Sequence, residues 1–170
     1  CLQNRERKLT MKDIPRITSF SVDHDYITPG VYISRIDGDV VTYDLRTRKP
    51  NTGDLMDNAT MHSVEHMIAT YIRSSSIGQD IIYFGPMGCQ TGFYLLIRNA
   101  DHGEVLREMK EVLRLIVAHE GDVFGRSEIE CGNYKNLDLA RAKCECERYL
   151  AVLNSKENDF KYKGDSVKAP

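Results

Sequence analysis

The sequence contains no apolar stretch approaching the ~20 residues that a membrane-spanning helix needs. Its first ten residues, CLQNRERKLT, also lack the apolar core of a signal peptide. Neither sign of charge dominates, since 23 Lys and Arg against 25 Asp and Glu give a formal net charge of -2. The sequence therefore has no excess of basic residues that would indicate binding to nucleic acid or to an anionic membrane. We therefore expect a cytoplasmic protein with a small-molecule partner, no nucleic acid and no membrane.

The sequence also lacks the even set of cysteines that is typical of a disulfide framework. It has five, which are Cys1, Cys89, Cys131, Cys144 and Cys146. An odd number suits a reducing compartment in which thiols are kept for chemistry. No internal repeat or low-complexity segment divides the chain, and 170 residues with 41% hydrophobic content suffice for one core. We expect one domain over residues 11–155, after an N-terminal extension, 1–10, that need not be native, and before a charged C-terminal tail, 156–170.

Hydrophobic periodicity predicts two β-hairpins and three amphipathic helices. The predicted strands lie within residues 31–46, 80–84 and 93–98, and the predicted helices span about 61–74, 103–119 and 136–153. Asp37-Gly38 is a strong hairpin signal within the first of these segments. Hairpins interrupted by single helices indicate an α+β fold, a single domain with an antiparallel β-sheet and helices packed on one face. In the second strand we expect the face that carries Arg46 to be free for polar work.

His62, Glu65 and His66 form an H-x-x-E-H motif on the first predicted helix, the pattern of the inverted zinc peptidases. At 3.6 residues per turn the two histidines share one face, and the glutamate lies beside both. Imidazoles placed in this way can share a tetrahedral metal ion, while the carboxylate reaches a bound water or substrate. The alternative is two surface histidines beside a glutamate that favours helix.

A third metal ligand has more than one candidate. The peptidase pattern would use a distant glutamate, for which Glu145 or Glu147 is available. The rival is Cys131 in ECGNY, because a cysteine followed by glycine at a helix-opening loop has room to approach a metal. A buried structural thiol is the other interpretation of Cys131, so the residues alone leave these possibilities open.

Cys89 lies in FGPMGCQTGFY, where glycines and a proline predict a tight turn with an accessible sulfur. Near a divalent cation such a thiol can act as an acid, a base or a nucleophile. The alternative is a turn in which the cysteine only packs.

Taken together and in this order, H-S-V-E-H, P-M-G-C-Q-T-G-F-Y and C-G-N-Y followed by L-x-x-A-K resemble the S-ribosylhomocysteine lyase (LuxS) family. The upstream segments SFSVDH and YDLR also resemble that family. The resemblance runs from about residue 17 to residue 153. The segment around P-M-G-C is far more specific than H-x-x-E-H.

The resemblance implies one divalent metal ion per subunit, held by His62, His66 and Cys131. The native ion of the family is Fe²⁺, and Zn²⁺ or Co²⁺ can substitute. A homodimer with active sites near the subunit interface is also implied. The implied reaction cleaves the thioether of S-ribosylhomocysteine to homocysteine and 4,5-dihydroxy-2,3-pentanedione, by carbonyl migration along the sugar and β-elimination. The second product is the precursor of the quorum-sensing signal autoinducer-2, and the enzyme serves the activated methyl cycle.

The same resemblance assigns roles to further residues. Glu65 and Cys89 are expected to carry protons on the two faces of the substrate. The residues expected to hold the substrate are Ser19, His24 and Arg46. Arg46 is suited to a carboxylate or to hydroxyl groups.

Two positions depart from the family pattern. Tyr83 stands where many members have an aspartate, and Leu137 stands where some have a histidine. These departures concern substrate contacts and the surroundings of the site, not the reaction class. Two other functions remain as alternatives: a zinc peptidase, and a non-catalytic interaction domain whose metal would be closed by four protein ligands.

Overall fold

Two hairpins build the sheet of the computed structural model, which describes residue 17 and residues 20–163. The strands are β1 (Gly30–Asp37), β2 (Val40–Arg46), β3 (Ile81–Pro86) and β4 (Gly92–Arg98). All pair antiparallel in the order β1-β2-β4-β3. The helices are α1 (Asn58–Arg73), α2 (His102–Ala118) and α3 (Leu139–Ser155). The predicted α+β fold is therefore confirmed.

The turns follow the local sequence signals. Gly38 has a φ of 62°, which suits glycine at the tip of the β1–β2 hairpin, as the Asp-Gly pair predicts. At the end of the central strand pair β2–β4, Gly92 pairs with Arg46. A Cβ atom on Gly92 would lie 2.6 Å from the carbonyl oxygen of Leu45, so only glycine lets β2 and β4 approach this closely here.

The hydrophobic core lies between one face of the sheet and the three helices. The sheet contributes alternate residues of β2 and β4, and the helices contribute residues at helical spacing. The central buried side chains are Val41, Tyr43, Leu45, Phe93, Leu95, Ile97, Val64, Ile68, Ile72, Met109, Leu113 and Leu153. This packing places the candidate ligands of α1 at the edge of its core-facing side.

The third helix begins three residues later than predicted. Residues Tyr134–Asn136 form a separate 3₁₀ turn, and Asp138 caps α3 by accepting a hydrogen bond from the backbone N–H of Arg141 at 3.1 Å. The turn keeps Asn136 out of the helix and places its side chain against α1.

The prediction of a free polar face on β2 is wrong at the end of the strand. Asp44 and Arg46 are 1% and 2% exposed, and they form a bidentate ion pair with each other. The reason is a tertiary contact, because the chain after α3 returns to β1 and covers this face. The backbone N–H of Ile33 donates to the carbonyl of Phe160, and Tyr162 stacks on Tyr32.

The structure covers part of the predicted terminal regions. Residues 156–163, called the C-terminal segment below, belong to the predicted charged tail and pack against β1. The predicted N-terminal extension, 1–10, lies outside the described residues, as do residues 164–170. No helix in the described part of the chain is long and apolar enough to cross a membrane.

Candidate functional site

The H-x-x-E-H motif lies in the first half of α1. Asp57 caps this helix, with its Oδ1 accepting from the backbone N–H of Thr60 at 2.7 Å. His62 and His66 follow one turn apart, with 4.6 Å between ring centroids and the ring planes nearly perpendicular. Both rings and the Glu65 side chain are half-buried at the edge of the core-facing side. The motif therefore presents two imidazoles and a carboxylate at one partly open surface.

Cys131 joins the two histidines from a loop 69 residues further along the chain. One ligand atom from each of His62, His66 and Cys131 lies within 4.8 Å of the others, so the group could hold a metal ion. The Cys131 sulfur lies 3.3 Å from His62 Nε2 and accepts a hydrogen bond from the backbone N–H of Asn133 at 3.4 Å. Two nitrogens and a sulfur are a donor set suited to zinc, iron or cobalt.

The opposite ring nitrogen of each histidine is already engaged. His62 Nδ1 lies 2.5 Å from Asn136 Oδ1, and the Asn136 amide in turn donates to Asn58 Oδ1 at 2.6 Å. His66 Nδ1 lies 2.7 Å from the carbonyl oxygen of Phe124. Because these oxygens only accept, each Nδ1 carries the proton, and each Nε2 keeps its lone pair for a metal. The surroundings of the histidines thus fit metal ligands better than solvated side chains.

Asn136 and Phe124 are site residues that sequence reasoning missed. Asn136 lies in a 3₁₀ turn and Phe124 in a loop, where no periodicity marks a functional position. Gly125, with a φ of 69°, gives a further signal, since a Cβ atom there would lie 3.1 Å from His66 Nδ1. In the sequence, Phe124 and Gly125 are only an aromatic residue and a glycine between α2 and α3, and such a pair does not indicate a contact with a histidine.

The glutamates of the peptidase interpretation are placed elsewhere. Glu145 is buried and accepts two hydrogen bonds from Arg48, at 3.2 Å and 2.6 Å. Glu147 lies on the exposed side of α3. Among the described residues, the group that clusters with the histidines contains Cys131 and neither glutamate.

Glu65 lines an open cleft of about 610 Å³ together with His66, Tyr83 and Phe84. Tyr83, one of the two departures from the family pattern, is 49% exposed and forms part of this wall. Leu137, the other departure, is buried in the hydrophobic core. Only the first departure is therefore in a position to touch a molecule in the cleft.

Cys89 is exposed in the tight turn after β3, as predicted. Gln90 takes a φ of 64°, and its backbone N–H donates to the carbonyl of Met87 at 3.0 Å, which closes the turn. The carbonyl of Gln90 accepts from the backbone N–H of Met56, just before α1. The turn is thus tied to the helix that carries the histidines, at the end of the strand whose Phe84 lines the cleft.

Arg46 and Thr91 are the hydrogen-bond partners of the Cys89 sulfur. Thr91 Oγ1 lies 3.0 Å from the sulfur, and Arg46 Nη1 lies 3.8 Å from it. Burial alone would lower the pKa of Arg46, but the charge and hydrogen bonds of Asp44 raise it above its ordinary value. The pKa of nearby Tyr94 is also raised, mainly by burial and then by Asp44. Cys89 therefore borders a permanent positive charge.

His24 is separate from both groups. It begins the 3₁₀ turn His24–Tyr26, and its Nδ1 donates to the carbonyl of Val22 at 3.0 Å. It lines an open cleft of about 580 Å³ with Phe20 and Asn51. No hydrogen bond within residues 20–163 joins His24 to the metal-ligand group or to Cys89. Ser19 lies outside the described residues.

Comparison with known proteins gives one consistent result. The family model of S-ribosylhomocysteinase (LuxS) matches residues 17–160. The chain is 41% identical over 154 residues to the S-ribosylhomocysteine lyase of Borreliella afzelii (strain PKo), which covers 86% of this chain and 98% of the relative. It is 41% identical over 150 residues to the lyase of the same name from Finegoldia magna, covering 84% and 96%.

A third relative, the S-ribosylhomocysteine lyase of Clostridium beijerinckii, is 38% identical over 155 residues, with 86% of this chain and 98% of the relative covered. The matches extend over nearly the whole length of these relatives. The prediction that the protein is an enzyme of the carbon–sulfur lyase class is confirmed at the level of the family. The chain belongs to the S-ribosylhomocysteinase (LuxS) family.

Proposed function

We propose that the protein cleaves the thioether of S-ribosylhomocysteine to homocysteine and 4,5-dihydroxy-2,3-pentanedione. The observation that carries this proposal is the His62, His66 and Cys131 group, with Glu65 lining the adjoining cleft, in a chain of this family. The product would serve as the autoinducer-2 precursor in quorum sensing. A cytoplasmic location, within the activated methyl cycle, fits the four described cysteines, which are free thiols in the structure.

The proposed cofactor is one divalent ion per subunit, Fe²⁺, for which Zn²⁺ or Co²⁺ can substitute. His62, His66 and Cys131 would hold it, since their donor atoms lie together and each Nδ1 is already occupied. When bound, such an ion supplies Lewis-acid stabilisation of negative charge on the sugar oxygens. Three protein ligands leave one position open, which suits a catalytic site better than the four closed ligands of a structural metal.

Glu65 and Cys89 are proposed to move the protons. The sugar carbonyl must migrate from C1 to C3 before the thioether can break, and each migration takes a proton from one carbon and returns one to its neighbour. In the last step a proton leaves the carbon next to the carbonyl, and the bond between the next carbon and sulfur breaks. The thiolate takes up a proton and departs as homocysteine, so the two products together contain all atoms of the substrate.

Ser19, His24 and Arg46 remain the proposed substrate-holding residues. Arg46 lies beside Cys89, which supports a role at the same end of the substrate. Its burial and its bonds to Asp44 restrict this role to the one edge of the guanidinium that faces the Cys89 turn. The cleft that His24 lines is large enough for part of a small ligand.

We also propose a homodimer with active sites near the subunit interface. The sheet face opposite the helices carries an open cleft of about 440 Å³, lined by Tyr83, Tyr94 and Leu96 among others. Ile82 and Tyr83 are exposed beside it. The lining is mixed, since Ser34, Arg35 and Thr42 also belong to it. Its exposed Tyr83 is at the same time a wall residue of the Glu65 cleft, so a second subunit that covers this face would complete the site.

The decisive experiment incubates purified, Fe²⁺- or Co²⁺-loaded protein with S-ribosylhomocysteine and titrates free thiol. One thiol is expected per substrate cleaved, and no release would refute the lyase proposal. A zinc peptidase would instead cleave peptides and keep its activity in Cys89→Ala. The position of Glu145, bound to Arg48, argues against that alternative.

Three variants separate the proposed roles. Cys89→Ala and Glu65→Gln are expected to retain the metal and lose turnover, because neither side chain belongs to the ligand group. Cys131→Ala is expected to lose the metal. Cys144→Ala, which changes an exposed cysteine outside that group, is the matched control and should retain both. Full metal content in Cys131→Ala would contradict the ligand assignment.

A further inference from the structure

The C-terminal segment carries a side chain to the buried charges beside Cys89. Tyr162 lies two residues beyond Phe160, where the match to the family ends. Its ring stacks on that of Tyr32, with 4.8 Å between centroids and an interplanar angle of 11°. Its hydroxyl donates to Asp44 Oδ2 at 2.9 Å. Because Asp44 is almost fully buried, water does not compete for this hydrogen bond.

The hydrogen bonds continue from Asp44 to the Cys89 sulfur. Arg46 donates to both oxygens of Asp44, at 3.0 Å from Nε and 2.6 Å from Nη2. Arg46 Nη1 then donates to Thr91 Oγ1 at 2.6 Å. The Thr91 hydroxyl lies 3.0 Å from the Cys89 sulfur, and because it accepts from Arg46 its own proton is free to be donated to that sulfur. Tyr162 and Cys89 are thus the two ends of one continuous chain of donors and acceptors.

The direction of donation gives Tyr162 an electrostatic effect on the sulfur. Burial and the neighbouring Asp44 carboxylate raise the pKa of Tyr162 above its ordinary value, so its hydroxyl stays protonated and donates. Tyr162 is the third hydrogen-bond donor to Asp44, after Nε and Nη2 of Arg46. It stabilises part of the negative charge of the carboxylate that would otherwise neutralise the positive charge of Arg46. More of the positive charge of Arg46 then acts on the Cys89 sulfur, which Nη1 approaches to 3.8 Å.

We propose that Tyr162 is a positioning residue that increases the reactivity of the Cys89 thiol through Asp44 and Arg46. The C-terminal segment is then a working part of the site and not only a charged tail. That Cys89 takes part in turnover rests on the proposed lyase function. The link from Tyr162 to the sulfur does not, because it follows from the contacts of this chain alone.

The test compares Tyr162→Phe with the unchanged full-length protein in the rate of Cys89 alkylation by iodoacetamide at neutral pH, resolved by peptide mass spectrometry. The variant keeps the stacked ring and loses the donor. Alkylation is expected to slow by about two- to fivefold. The lost hydrogen bond is to a charged group, but it affects the sulfur only indirectly, through the Asp44–Arg46 ion pair. The exposed Cys144 is the internal reference and should react at the same rate in both proteins.

Tyr32→Phe is the matched control, because its ring belongs to the same stack but its hydroxyl donates to the carbonyl of Thr28. It should leave Cys89 alkylation unchanged. A Tyr162→Phe rate equal to or above that of the unchanged protein would overturn the proposal. A purely structural role of Tyr162 would lower the melting temperature without slowing Cys89 alkylation, which would also overturn it.

Thiol release from S-ribosylhomocysteine separates this proposal from the lyase function. If both proposals hold, Tyr162→Phe lowers the kcat of thiol release by about the same factor as it lowers the rate of Cys89 alkylation. Slowed alkylation in a protein that releases no thiol would remove the lyase proposal and leave the Tyr162 link standing. Thiol release with unchanged alkylation would support the lyase proposal and remove the Tyr162 link.

Discussion

The contact between His62 and Asn136 offers the sharpest test of the metal site. The Asn136 amide accepts from His62 Nδ1 with its oxygen and donates to Asn58 Oδ1 with its nitrogen, so its orientation is fixed from both ends. Asn136→Ala removes the amide oxygen that orients the His62 ring and keeps the proton of the neutral ring on Nδ1. Partners of this kind typically contribute about 10- to 100-fold to metal affinity.

The burial of Asn136 decides where in this range the effect falls. Its side chain is only half-buried, so water can enter the space left by alanine and accept from His62 Nδ1. Water restores the acceptor but not the orientation of the ring. We therefore expect a loss of about 10-fold in Zn²⁺ affinity, or about 1.4 kcal/mol, which is near the lower end.

The affinity is measured by competition with a chromophoric zinc chelator on the apoprotein. Asn58→Ala is the control, because it leaves the His62 acceptor in place and removes only the support behind it. We expect that variant to lose about threefold or less. Equal affinity of Asn136→Ala and the unchanged protein would refute the reasoning, as would an Asn58→Ala effect that is as large.

Three further changes test the fold and the site. Asp44→Ala leaves the buried Arg46 charge without its partner and should cost about 3–5 kcal/mol in the free energy of unfolding, measured by urea denaturation. Asp57→Ala should cost about 1 kcal/mol at neutral pH through loss of the α1 cap. The hydrogen bond from the Thr60 backbone lowers the pKa of Asp57, so this difference is complete above the ordinary Asp pKa and vanishes as pH falls through the lowered value. Gly125→Ala combines the strain of a positive φ with a contact to His66 Nδ1 and should weaken both stability and Zn²⁺ binding.

Matched controls accompany these variants. Glu111→Ala removes an exposed ion pair on α2 and should cost about 0.5 kcal/mol or less. Gly121→Ala meets a positive φ of 104° but open space, so it should lower stability without changing Zn²⁺ affinity. For the cap, a stability difference between Asp57→Ala and the unchanged protein that does not shrink in acid would contradict the assigned role.

Local sequence signals predicted most of the fold because the relevant interactions are local. The Asp37-Gly38 turn, the apolar alternation of β2 and the helical spacing of α1 each depend on neighbours within a few residues. The same spacing placed His62, Glu65 and His66 at one surface. The start of α3 was less well predicted, because Asp138 interrupts an apolar pattern that continues on both sides of it.

The candidate third ligand shows the limit of local spacing. From the residues alone, Cys131, Glu145 and Glu147 were open alternatives. The structure separates them through contacts between distant elements: Arg48 binds Glu145, whereas the loop after Ser127 brings Cys131 to His62. The resemblance to the family had favoured Cys131, but only the tertiary structure gives the physical reason.

The sequence by itself determined the elements, the H-x-x-E-H face and the family, since these depend on spacing and on motifs within continuous segments. Only the tertiary structure decided what surrounds them. The acceptor for His62 lies 74 residues away, the acceptor for His66 lies 58 residues away, and Tyr162 reaches Asp44 across 118 residues. The buried state of Arg46 has the same origin, because a strand face that alternation marks as polar becomes enclosed when a remote segment packs over it.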